Sequence, residues 1–155
     1  MSFGYIERVP WHLVRAGIAA YRVAQHTVEK PDDVPRLIVY GLDEGNIPPE
    51  RALRYVLGRR SFGPNWELSV YYKGEIQNLR RTEFRPEIGP PEIEEWQNHI
   101  RAFDHPDGLE VLAHWEPEPT EHPDEHLSEE YMDVERGTRR LESILDEEGI
   151  EYDRR

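Results

Sequence analysis

The 155-residue sequence has no cysteine, and only Lys30 and Lys73 are lysine. Without thiols the chain forms neither disulfides nor thiolate metal sites. No apolar run approaches the roughly 20 residues a membrane-spanning helix needs. Met1 to Glu7 lacks the basic start and apolar core of a signal peptide, so a cytoplasmic location is expected. Gly41, Gly45, Gly58 and Gly63 are scattered and form no phosphate-cradling loop. The serines sit in no nucleophile elbow.

What is present is acid and arginine. Asp and Glu number 32 against 19 basic residues, 17 of them arginine, for a net charge of −13. Carboxylates hold hydration water and keep molecules apart where salt screens weaker fields. Arginine neutralises part of that charge through bidentate pairs. The combination points to a salt-accumulating, archaeal-like halophile; a lysine-poor acidic protein without that adaptation is the alternative. The net charge opposes general nucleic-acid binding, although local basic patches remain available.

Periodicity predicts an α+β fold with N-terminal helices, an antiparallel sheet of two hairpins and a C-terminal helix. A single domain over 1–150 and a mobile tail at 151–155 are expected. Pro10 opens a first helix running to about Val28. Leu37 to Leu42 fits strand or helix; Asp33 and Pro35 favour a short helix. Pro48-Pro49-Glu50 opens another, with Ala52, Leu53, Val56 and Leu57 on one face and Gly58 at its end. Together, 35–44 and 48–60 resemble a helix-turn-helix in spacing and carry Arg51, Arg54, Arg59 and Arg60. Arg80, Arg81 and Arg85 form a second cluster.

Trp66 to Lys73 alternates as a strand, turns at Lys73-Gly74 and returns over Glu75–Phe84, placing Leu79 opposite Leu68 and Arg80 opposite Glu67. A second hairpin turns at His105-Pro106-Asp107-Gly108. Pairing Asp104 with Leu109 gathers Ile100, Ala102, Leu109, Val111, Ala113 and Trp115 on one face. The other face then holds His99, Arg101, Phe103, Glu110, Leu112 and His114, with His99 directly across from His114. Trp115 to His126 reads as irregular. The last helix spans Val134 to Glu148, with Leu141, Ile144 and Leu145 inward and Gly149 as its stop.

Five of the seven histidines lie between His99 and His126. Histidine exchanges protons near neutrality, and arginine steadies phosphate. His99, Arg101, His114, His122 and His126 are therefore candidate catalytic residues for metal-independent RNA cleavage; the bland alternative is an exposed sheet face that tolerates histidine. His122 and His126 have i, i+4 metal-ligand spacing, with Glu116, Glu118 and Asp124 as further donors. They do not form His-Glu-x-x-His, and Pro123 disfavours a preceding helical turn. No cofactor is expected.

The stretch Asn98-His99-Ile100, Asp104-His105-Pro106-Asp107-Gly108 and His114-Trp115-Glu116-Pro117-Glu118-Pro119-Thr120-Glu121-His122-Pro123-Asp124-Glu125-His126-Leu127 resembles the TumE-type small toxins of prokaryotic toxin–antitoxin systems. The resemblance covers residues 98–127 and departs from the family pattern at Glu116 and Glu118, where an Asp-Asn run is expected. It implies a growth-inhibiting protein controlled by an antitoxin, with His114, His122 and His126 as the residues to test. The expected partners are an antitoxin protein, RNA and a second copy of the chain as a homodimer, with no membrane. The alternative is a non-enzymatic regulatory or binding protein that uses the arginine-bearing pair 35–60 on DNA or a protein partner.

Overall fold

The computed structural model describes residues 27–42, 46–65, 71–86 and 89–155. The chain divides into two compact units, 1–30 with 69–73, and 31–68 with 74–155. The helix predicted from Trp11 lies almost wholly outside the described residues. Its expected end, Thr27–Val28, is a short strand, β1.

The elements that follow are β2 (Leu37–Val39), α1 (Pro49–Gly58), β3 (Gly63–Pro64), β4 (Tyr71–Tyr72), β5 (Glu75–Phe84), β6 (Glu95–His105) and β7 (Gly108–Pro117). Then come α2 (Pro123–Leu127), α3 (Val134–Glu148) and β8 (Tyr152–Arg154). In the smaller unit β1 and β4 pair in parallel. The larger unit is an α+β domain around a six-stranded sheet ordered β3-β5-β6-β7-β2-β8, antiparallel throughout.

Three expectations are corrected. Leu37–Val39 is a strand between β7 and β8, so the first helix of the expected helix-turn-helix is replaced by a strand, and α1 is the one α-helix among the described residues of 35–60. A strand buried on both faces carries no alternation, and its apolar run reads equally well as helix. Leu79 and Arg80 pair with Pro64 and Gly63 on one side and with Ile100 and His99 on the other, which fills both edges of β5 here; Leu68 and Glu67, the partners expected, lie outside the described residues. Pro64 has no N–H to give a ladder and lies on the edge strand, where none is required. Residues 151–155, expected as a mobile tail, supply β8: Arg36 and Arg155 exchange backbone hydrogen bonds of 3.0 and 2.9 Å.

The second hairpin has the predicted register, from Asp104 opposite Leu109 to His99 opposite His114. Side chains alternate across the pleat, so this register fixes both faces. Leu79, Ile100, Ala102, Val111 and Ala113 join Leu37 and Val39 on the apolar face, against Leu53 and Leu57 of α1 and Leu141, Ile144 and Leu145 of α3. Helix α3 has the predicted bounds. Asp133 caps its start by accepting from the Arg136 N–H, and Gly149 ends it at φ 68°.

Gly137 is what brings α3 close to β7. A Cβ on this residue would lie 2.2 Å from the His114 Cα, so only glycine permits the approach. Trp115 and Asp133 exchange backbone hydrogen bonds of 2.9 and 2.7 Å beside it. Strand β7 is thus held at residues 113–115 from the apolar side, while His114 and Glu116 project to the other.

Candidate active site

The polar face of β5, β6 and β7 is buried and rich in hydrogen-bonding groups. Asn78, Gln97, His99, Arg101, Glu110 and Glu116 all lie below one-tenth exposure. Burial of this kind is costly unless each group finds a partner, so the contacts among them are strongly selected by geometry.

Glu116 is the centre. Its Oε1 lies 2.6 Å from Gln97 Nε2, 3.0 Å from His114 Nε2 and 3.1 Å from His99 Nδ1. Its Oε2 lies 3.3 Å from His126 Nδ1. The His99 and His114 rings meet edge to face with centroids 4.8 Å apart. Burial alone would raise the Glu116 carboxyl. The adjoining His114 and His99 outweigh it and hold the group far below the usual carboxylate range.

His99 is the deepest of the imidazoles. Its Nε2 lies 2.6 Å from Asn78 Oδ1 and 3.3 Å from Asn65 Nδ2. Burial, reinforced by the charge of Arg101, lowers it from 6.5 to about 3, so the ring is neutral near pH 7. His114 and His126 keep 16% and 21% of their side chains accessible, which makes them the two through which the cluster meets solvent.

The segment after β7 delivers His126. Glu118 is buried, and Arg80 and the Thr120 and Glu121 N–H groups donate to it at 2.6–2.9 Å. Burial would raise this carboxyl; the backbone N–H of Glu121 and the Arg80 guanidinium hold it lowered. His122 Nε2 accepts from the Glu94 and Glu95 N–H groups at 3.2 and 3.3 Å. These contacts hold the turn into α2, whose His126 then reaches Glu116.

No protein-family model, curated protein or solved structure matches this chain. The site therefore rests on its geometry.

Of the five predicted residues, His99, His114 and His126 converge. His122 is occupied by backbone N–H groups and does not join them. Arg101 is buried and donates to Glu75 at 2.6 Å, and it acts on the cluster through its charge beside His99. The predicted ligand pair separates, with His122 turned to the β6 backbone and His126 to Glu116. Glu118 is engaged by Arg80 and two backbone amides. Residues 115–117, expected as irregular, are the end of β7. That is why Glu116, read only as an auxiliary donor, occupies the middle.

Many of the arginines are committed to internal partners. Arg59 and Arg60 bind Glu148 and Glu147, Arg81 binds Glu83, and Arg85 binds Glu94. Among the described residues no helix is long and apolar enough to cross a membrane.

Proposed function

We propose that this chain is a salt-adapted, toxin-like ribonuclease whose centre is the cluster of His99, His114 and His126 around Glu116. The convergence of three imidazoles on one buried carboxylate carries the reading. Such a group both fixes charge and exchanges protons, as phosphodiester cleavage requires. His99, Glu116 and His114 form its inner unit. His126, on the other carboxylate oxygen, is the most exposed of the three and suits proton transfer to or from substrate. The resemblance of residues 98–127 to TumE-type toxins supports the same reading and supplies the expected antitoxin partner.

Induced expression tests it. The wild-type chain should arrest growth, and His114→Ala should relieve the arrest at equal protein level. Harmless wild-type expression would remove the toxin reading, and an equally toxic His114→Ala would remove this site from it.

A second reading concerns α1, where Arg51 and Arg54 are exposed beside Tyr55 at 69% exposure. One such helix face could dock on DNA phosphates or an acidic protein. Arg51→Glu with Arg54→Glu should then abolish binding while leaving the cluster's activity unchanged.

A further inference from the structure

The inner unit poses a problem of proton counting. A neutral imidazole carries one N–H, and a carboxylate oxygen offers about two lone-pair sites. Yet Glu116 Oε1 faces three nitrogens, those of Gln97, His114 and His99, at 2.6, 3.0 and 3.1 Å. His99 also faces an oxygen on each side. Its Nε2 lies 2.6 Å from Asn78 Oδ1, with the Asn65 amide nitrogen 3.3 Å away. The one N–H of a neutral ring serves only one of these two oxygens, and with it on Nε2 the Nδ1 lone pair points at a carboxylate oxygen 3.1 Å away.

A cation between these atoms removes the conflict. We propose that His99 Nδ1, His114 Nε2 and Glu116 Oε1 bind one divalent transition-metal ion of the zinc class. The three residues offer ligand atoms that all lie within 4.8 Å of one another. Bonds of about 2.0–2.1 Å at tetrahedral angles need donor separations of about 3.4 Å, so small side-chain adjustments close the site. The His99 Nε2–H to Asn78 Oδ1 bond is then the outer hydrogen bond that metal-bound imidazoles make, fixing tautomer and ring orientation. Gln97 does the same for the carboxylate. Two imidazoles and a carboxylate favour zinc-like ions over magnesium or calcium, which prefer all-oxygen shells.

Three protein ligands leave a coordination position open, as in catalytic zinc sites. This inference builds on the proposed ribonuclease centre and names its cofactor. The ion would act as a Lewis acid at the phosphoryl oxygen. His126 stays outside the inner set, on Oε2.

The test is titration of chelator-treated, dialysed protein with Co²⁺, whose visible absorption reports its ligands, in molar KCl to screen the acidic surface. The inference predicts saturation at one equivalent, displacement by Zn²⁺, and at least tenfold weaker binding in His114→Ala and Glu116→Gln. Asn78→Leu, which touches no ligand atom, should weaken binding roughly tenfold or more through His99 orientation. His105→Ala, on the hairpin turn, should bind normally; circular dichroism identifies variants that fold. Absence of stoichiometric binding by the wild type, or undiminished binding by folded His114→Ala, overturns the metal site. RNA cleavage by metal-free protein would do so too while leaving the ribonuclease reading intact. Tight, ligand-dependent Co²⁺ binding without cleavage under any metal would sustain the site and remove the ribonuclease.

Discussion

His99 and His114 stand opposite each other on adjacent strands, ring centroids 4.8 Å apart and planes at 68°, and both reach the same oxygen of Glu116. Cross-strand pairing gives them a shared face but not a shared environment. His99 is enclosed between Asn78 and Glu116, and His114 keeps an accessible edge. The first is suited to holding the centre in position and the second to meeting what arrives from solvent.

Burial of a neutral histidine makes stability depend on pH. His99 has a folded value of about 3 against 6.5 when free, so between these values the unfolded chain binds the extra proton. The His99 contribution is therefore fully present above about pH 6.5 and is lost as pH falls toward 3. Between about pH 7 and about pH 5, metal-free protein should lose about 2 kcal/mol of unfolding free energy through this group. Glu116, held low in the fold, adds a loss of the same sign below its unfolded value of about 4.5. Urea denaturation at the two pH values checks this. His99→Gln should flatten the difference, and an unchanged slope would contradict the assignment.

Gly137→Ala should be severe, because Gly137 is buried where the first turn of α3 meets β7. The added methyl meets the His114 backbone, which cannot rotate away, so α3 must lift from β7. Overpacking of this kind costs about 1–3 kcal/mol or more. The variant should melt earlier and also lose activity, because β7 carries both His114 and Glu116. Normal melting would show that α3 does not press on β7 as described.

The hairpin was readable because its two-residue turn and the alternation of Ile100, Ala102, Val111 and Ala113 admit one register, and that register alone placed His99 against His114. Continued two residues further, it sets Gln97 opposite Glu116. The prolines at 117 and 119 hid this, since they read as the end of regular structure. Leu37–Val39 was missed for the opposite reason: burial on both faces erased the alternation. The commitments of Arg101 to Glu75 and His122 to the β6 backbone depend on contacts distant in sequence, which local pattern does not encode.

Removing residues 151–155 should expose the edge of β2, whose three residues are almost fully buried. An unpaired apolar edge strand is a template for association. The truncated chain should melt at lower temperature and form larger species on light scattering; a monodisperse, equally stable product would count against β8.

His122→Ala should separate positioning from chemistry. Without its acceptance of the Glu94 and Glu95 N–H groups, the turn holding His126 loosens. Cleavage should fall while Co²⁺ affinity stays near that of the wild type. Loss of both would place His122 in the inner set.

The net charge of −13 predicts that the melting temperature rises from dilute to molar KCl as repulsion among the carboxylates is screened. A melting temperature indifferent to salt would contradict the halophile reading.

The central claim is that Glu116 organises a centre that cleaves RNA, and cleavage of an RNA oligonucleotide by purified protein, with and without added Zn²⁺, tests it most directly. The account predicts cleavage by the wild type, retention of it in His105→Ala, and a loss of about a hundredfold or more in Glu116→Gln that still folds. An inert wild type, or a Glu116→Gln variant as active as the wild type, would contradict it.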